Sequence, residues 1–84
     1  CGRRAERLQA LAADLRAKTE VTILVFDVRN QPDVASAIAS LPTAWKEIDV
    51  LINNAGNAHG LDPIQTGSLA DWDAMIDINV KGLL

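Results

Sequence analysis

Asp49-Val50-Leu51-Ile52-Asn53-Asn54-Ala55-Gly56 runs from an apolar stretch straight into two amides, a small residue and a glycine. An aliphatic, β-branched run with no polar interruption predicts a strand covered on both faces, as strands of a parallel sheet are. The amides then fall at its carboxyl end, the edge of an open α/β sheet where ligands bind. Outward from this stretch, Val21-Thr22-Ile23-Leu24-Val25-Phe26 has the same character and predicts a second parallel strand.

Helical spacing fills the intervals. Leu8, Leu11, Ala12 and Leu15 stand at i, i+3, i+4 and i+7, which predicts a helix over Arg3 to Lys18. Asp27-Val28-Arg29-Asn30 leaves the first strand; Asn30 can cap a helix, and Pro32 suits a first helical turn, where its missing N–H is not needed. Val34, Ile38 and Leu41 repeat at i, i+4 and i+7, and Pro42 ends that helix near the Ser40-Leu41 step. A long loop from Asn54 to Gly67, punctuated by Gly56, Gly60, Pro63 and Gly67, has the length of a functional loop. Ser68-Leu69-Ala70-Asp71 then makes a weak capping box that opens a helix running to the end of the chain. Helix, strand, helix, strand, helix is the βαβ signature, so the expected fold class is α/β, part of a doubly wound parallel sheet with right-handed crossovers. Two strands alone leave apolar faces and edges uncovered, so residues 1–84 are expected to be a piece of a larger, Rossmann-type domain with a thin core of their own.

Charge and composition exclude several functions. Eight basic residues against eleven acidic ones give a net charge of −3, which offers no footprint for nucleic acid or an anionic membrane. No run approaches the roughly 18 apolar residues of a membrane helix. The single cysteine, Cys1, excludes an internal disulfide and a thiolate metal site and suits a reducing compartment, so a cytoplasmic location is expected. Arg3, Arg4 and Arg7 are too few for a polyanion groove but enough to hold one phosphate.

Each candidate residue has a plain and a functional reading. Asn53 and Asn54 are either a turn pair bonded to their own backbone, or strand-end amides that must find partners once buried. Gly56 permits a close approach that a side chain would block. Asp27 is either a strand-end carboxylate or an acceptor for an exocyclic amine such as that of adenine, with the Val28 backbone beside it. Asn79 shares a helix face with Trp72, Met75, Ile76 and Leu83, so a polar amide sits in an apolar stripe. An unpaired amide buried there costs about 1–3 kcal/mol, so it is either a satisfied structural group or a functional one. Leu69, Val80 and Leu84 widen this arc beyond one sheet contact, which suits a subunit interface. Arg3 and Arg4 oppose the dipole at a helix start, a small cost that points to an anionic partner and bidentate recognition. His59, the only histidine, is a loop residue or lines a substrate pocket, and no metal-ligand spacing surrounds it. Neither a Gly-x-Gly-x-x-Gly run nor a Ser/His/Asp constellation is present.

Together, Gly2-Arg3-Arg4, Asp27-Val28, Asn53-Asn54-Ala55-Gly56 and Asp77-Ile78-Asn79-Val80-Lys81-Gly82 resemble the short-chain dehydrogenase/reductase family, in order and spacing over the whole chain. Gly2-Arg3-Arg4-Ala5-Glu6-Arg7-Leu8-Gln9, Leu41-Pro42-Thr43-Ala44-Trp45 and Asp71-Trp72-Asp73-Ala74-Met75-Ile76-Asp77 are similar to its members that oxidise small 3-hydroxy acids such as serine and allo-threonine with NADP. The resemblance implies that Asp27 and Val28 hold the adenine ring, and that Asn53, Ala55 and Gly56 line the adenine-side ribose. It implies that Asn79 belongs to the catalytic tetrad, on a kinked helix whose backbone holds a water of the proton relay. Gly2 stands where NAD-preferring relatives carry an acidic residue; the missing carboxylate and the guanidinium of Arg3, with Arg4 beside it, favour NADP. The family's glycine-rich loop would precede Cys1 and its Ser, Tyr and Lys would follow Leu84, so this stretch alone is expected to be inactive. In the strand order 3-2-1-4-5-6-7 the two runs would be the third and fourth strands, which are not neighbours. A homo-oligomer, a tetramer by the family's habit, is implied as well. Alternatives are a reductase of ketoacyl or steroid carbonyls, or a non-catalytic nucleotide-binding or oligomerisation module; a Tyr-x-x-x-Lys beyond Leu84 would separate enzyme from module.

Overall fold

The only β pairing joins the start of the chain to its first apolar run. In the computed structural model, which describes residues 1–84, Gly2 and Val25 form a parallel bridge. The Gly2 N–H donates to the Leu24 carbonyl at 3.2 Å and the Phe26 N–H to the Gly2 carbonyl at 3.1 Å. Between these partners runs α1 (Ala5–Leu15). Bridge, helix and bridge make the smallest version of a parallel crossover. The helix folds back on its own start: a Cβ on Gly2 would lie 3.6 Å from Leu8 Cδ2, and Ala12, only 1% exposed, is the most buried residue of the chain. It is shorter than the predicted Arg3–Lys18 because Arg4 is extended as its N-cap and the residues after Leu15 loosen into turns.

α2 (Gln31–Ala39) starts where the sequence placed it. Asn30 Oδ1 accepts from the Asp33 N–H at 3.4 Å, while Asn30 Nδ2 donates to Asp33 Oδ2 at 2.7 Å, and Pro32 sits in the first turn. Asn30→Ala is therefore expected to lower the stability of the full-length protein by about 1 kcal/mol, read from the urea midpoint. Ser40 ends the helix, Leu41 is buried, and a 3₁₀ turn (Thr43–Trp45) follows Pro42.

Neither apolar run forms a strand with a ladder, contrary to the expectation. Val21–Phe26 pairs only at Val25, and Asp49–Ile52 has no regular structure. Val50, Leu51 and Ile52 are 75–80% exposed, and Asn53 is exposed with them rather than buried. A strand exists through its neighbours' hydrogen bonds, and here the one such neighbour is Gly2, which pairs at Val25 alone.

α3 (Leu69–Ile76) is capped by Ser68, whose Oγ accepts from the Asp71 N–H at 3.4 Å. It does not run on as an α-helix to the chain end, because Asp77–Lys81 is a π-helical turn. The wider turn shifts the phase of the face that follows it. Ile78 turns inward at 5% exposure, whereas Ile76, Asn79 and Leu83 of the predicted apolar stripe are exposed. Buried residues thus number only Ala12, Leu41 and Ile78, the thin core that the length implied. No helix is long and apolar enough to cross a membrane.

Candidate functional site

The turn after the first apolar run is organised around one carboxylate. The Asn30 N–H closes it on the Asp27 carbonyl at 3.0 Å, and the Arg29 N–H reaches Asp27 Oδ1 at 3.0 Å, an Asx turn nested in a β-turn. The Arg29 guanidinium adds Nε contacts of 3.1 and 3.0 Å to the two carboxylate oxygens and an Nη2–Oδ2 bond of 2.6 Å. The Arg29 side-chain hydrogen bond holds the Asp27 carboxyl below the usual carboxylate range against a smaller opposing effect of burial; the Arg29 N–H and charge and the charge of Arg3 reinforce it. With a folded pKa below the unfolded one, this stabilisation is full above the ordinary carboxylate pKa and is lost as pH falls through the lowered value. The stability gap between wild type and Asp27→Asn, read by urea melts, is therefore expected to close on acidification below about pH 4. The pair is partly exposed, so the gap is small.

The end of the chain closes on this turn. A Cβ at Gly82 would lie 2.7 Å from the Ile78 carbonyl oxygen and 2.8 Å from Val28 Cγ2, so the π turn rests against Val28 with no room for a side chain. Charge follows the same path. Asp77 adds to the effect of Asp27 in keeping Arg29 protonated, and Lys81 Nζ pairs with Asp77 Oδ1 at 2.7 Å.

Asn79 projects from the π turn and clamps the segment after Gly56. Its Oδ1 accepts from the Asn57 N–H at 2.8 Å and its Nδ2 donates to the Asn57 carbonyl at 2.8 Å. One carboxamide thereby satisfies both main-chain groups of an otherwise unpaired segment, as a neighbouring strand would. A Cβ at Gly56 would lie 3.4 Å from Asn79 Oδ1, tight against the clamp. The π geometry also bypasses the Asn79 carbonyl. The three N–H groups that follow, Gly82, Leu83 and Leu84, donate to Asp77 at 2.8 Å, Val80 at 3.2 Å and Lys81 at 3.2 Å.

These contacts bring Asp27, Val28 and the Asn79 turn together, with Gly56 beside the Asn79 amide. Arg3 is near enough to Asp27 for its charge to be felt, and Arg4 is the exposed N-cap of α1, with no side-chain cap bond. Asn53 and Ala55 are not drawn into the cluster and lie on the exposed run before it. His59 Nε2 lies 3.0 Å from Asn57 Nδ2, and His59 lines a shallow cavity of about 130 Å³ with Gly60, Asp71, Trp72 and Met75. Gly60 there has φ +70°, a backbone state that favours glycine. Sequence reasoning missed Arg29 and Asn57. Asn57 is held through its main chain, so its residue type carries no signal; the signal was the partner-seeking amide of Asn79.

A carboxylate and the unbonded Val28 N–H at one turn, a neighbouring cation and a side-chain-free Gly2 suit a nucleotide. The profile described as short chain dehydrogenase matches residues 1–84, and the chain belongs to the short-chain dehydrogenase family, whose domain is a Rossmann fold. Among its relatives, the NADP-dependent 3-hydroxy acid dehydrogenase YdfG of Salmonella typhi is 51% identical over 83 residues, 99% of this chain and 33% of that protein. The serine 3-dehydrogenase of Agrobacterium fabrum (strain C58) is 45% identical over 99% of this chain and 32% of its own length. The crystal structure of serine dehydrogenase from Escherichia coli superposes with a TM-score of 0.89 at 47% identity, over 96% of this chain and 36% of that one. The closed form of serine dehydrogenase complexed with NADP+ gives the same TM-score over 32% of its chain. The chain thus spans about a third of the length of the curated relatives it matches.

Proposed function

We propose that residues 1–84 form the part of an NADP-dependent oxidoreductase that holds the adenosine half of the coenzyme and carries one member of its proton relay, within a longer dinucleotide-binding domain. The observation that carries this reading is the Asp27-Val28 turn, where the charge of Arg3 acts on Asp27 and Gly82, at the end of the Asn79 turn, packs against Val28. Asp27 is an acceptor for the adenine amine, and the Val28 N–H, which the turn leaves unused, suits the adjacent ring nitrogen. Gly2 presents no carboxylate to a 2′-phosphate and Arg3 offers it a guanidinium, with Arg4 next to it. Asn53, Ala55 and Gly56 line the adenine-side ribose in this reading. The bound NADP supplies hydride transfer.

Asn79 acts through two groups. Its amide fixes Asn57 and the Gly56 segment, and its bypassed carbonyl is an acceptor for a water of the proton relay. The substrate is a small 3-hydroxy acid such as serine or allo-threonine, in keeping with the named relatives. A second reading has its own support: the sulfoacetaldehyde reductase 2 of Chromohalobacter salexigens is 47% identical over 99% of this chain, so a small acid-bearing aldehyde suits the same enzyme class. A homotetramer assembled through the exposed apolar side of α3, in the cytoplasm, completes the proposal.

Coenzyme choice tests it. Arg3→Ala in the full-length protein is expected to weaken NADPH binding about 10- to 100-fold, the worth of a charge-assisted hydrogen bond, and to leave NADH within twofold. Equal losses for the two coenzymes in fluorescence titrations refute the phosphate assignment.

A further inference from the structure

We propose that Arg29 is a positioning residue for coenzyme recognition: by gripping both oxygens of Asp27 it presents the carboxylate, already oriented, to the exocyclic amine of adenine. The inference rests on the reading of Asp27 given above and assigns it a partner. A carboxylate offers about four lone-pair directions, and a free aspartate at a loop would spread them over several rotamers. Here the Arg29 N–H takes one direction on Oδ1 at 3.0 Å and Nη2 takes one on Oδ2 at 2.6 Å, while Nε is shared between the two oxygens at 3.1 and 3.0 Å. One residue, two places further along the chain, supplies all of these donors. The main-chain bond ties the guanidinium grip to the turn itself. Both side-chain torsions of Asp27 are thus fixed before any ligand arrives, and the shared donor leaves acceptor capacity on the carboxylate. Ordering the acceptor in advance removes that entropy cost from the binding step.

Charge supplies the second reason. A bare carboxylate close to the phosphates of a dinucleotide would repel them, and Arg29 neutralises it at contact distance. Arg29 is also influenced by Asp77, which begins the turn that carries Asn79, and Asp77 is in turn paired with Lys81. Arg3, Asp27, Arg29, Asp77 and Lys81 therefore alternate in sign from the proposed phosphate end to the Asn79 turn. An ordinary surface ion pair has neither the main-chain anchor nor this continuation.

The test uses the full-length protein and two reduced coenzymes, NADPH and its deaminated form, nicotinamide hypoxanthine dinucleotide phosphate, in which a carbonyl replaces the adenine amine. The wild type is expected to bind NADPH at least tenfold more tightly than the hypoxanthine form, since a hydrogen bond to a charged acceptor is lost and a carbonyl faces the carboxylate. In Arg29→Ala this ratio is expected to fall below threefold, chiefly through weaker NADPH binding. Arg29→Lys keeps the charge without the fork and recovers only part of the ratio. If Arg29→Ala keeps the wild-type ratio, Arg29 does not position Asp27, and the adenine reading stands without it. If the wild type itself makes no distinction between the two coenzymes, the adenine reading of Asp27 fails and takes this inference with it.

Discussion

Asn79→Ala in the full-length protein is expected to lower kcat by at least a hundredfold while the dissociation constant for NADPH changes less than fivefold. Loss of one positioned member of a proton-transfer chain costs about 10²–10⁴ in rate. The substitution removes both 2.8 Å bonds to Asn57, so that an N–H and a carbonyl lose their partners together. The segment from Gly56 onward is then free to drift, and the turn that presents the Asn79 carbonyl loses the contact that fixes its orientation. Asn79→Asp sharpens the test. It keeps the oxygen that accepts from the Asn57 N–H but sets a second oxygen against the Asn57 carbonyl, turning an attraction into a repulsion. Its kcat is expected to be no better than that of the alanine variant. Rates within threefold of wild type for both would remove Asn79 from the relay.

A methyl group at Gly82 is expected to act through stability instead. Its Cβ would meet the Ile78 carbonyl oxygen at 2.7 Å and Val28 Cγ2 at 2.8 Å. A side-chain methyl can move aside, but the carbonyl belongs to the π turn and cannot yield without changing the turn's hydrogen bonds. Overpacking of this kind costs about 1–3 kcal/mol, which Gly82→Ala should show as a lower urea midpoint at unchanged slope. Coenzyme binding is expected to weaken alongside it, because the displaced group, Val28, is next to Asp27. Adding Val28→Ala to Gly82→Ala relieves one of the two contacts and is expected to recover only part of the loss. A wild-type melt for Gly82→Ala would show that the π turn does not rest on Val28.

What was legible in the chain is what is decided locally. Asn30 and Ser68 cap the helices they were expected to cap, since a short polar side chain and an orphan N–H three residues on suffice. The spacing of Leu8, Leu11, Ala12 and Leu15 set the inward face of α1 only in part: Ala12 is buried and Leu8 half-buried, whereas Leu11 and Leu15 stay exposed because no sheet covers that side. The apolar runs at Val21–Phe26 and Asp49–Ile52 have the composition of strands, yet a strand needs partners that no local pattern supplies, and only Val25 finds one. No residue type announces a π turn, so helical spacing does not give the phase of the last helix, and Ile78 lies inside in place of Ile76. At the site, Asp27, Gly56 and Asn79 were legible as polar or small residues in places that demand a reason. Arg29 was not, because its contribution depends on a grip between side chains two residues apart, and such charged pairs at turns are common without consequence.

The most direct measurement is the crystal structure of the full-length protein with NADP+ bound. The predicted outcome has the adenine amine within hydrogen-bond distance of the Asp27 carboxylate, the 2′-phosphate on the Arg3 guanidinium, and the Asn79 amide still closed on Asn57. A nucleotide bound away from the Asp27-Val28 turn, or a 2′-phosphate held by residues other than Arg3 and Arg4, would contradict it.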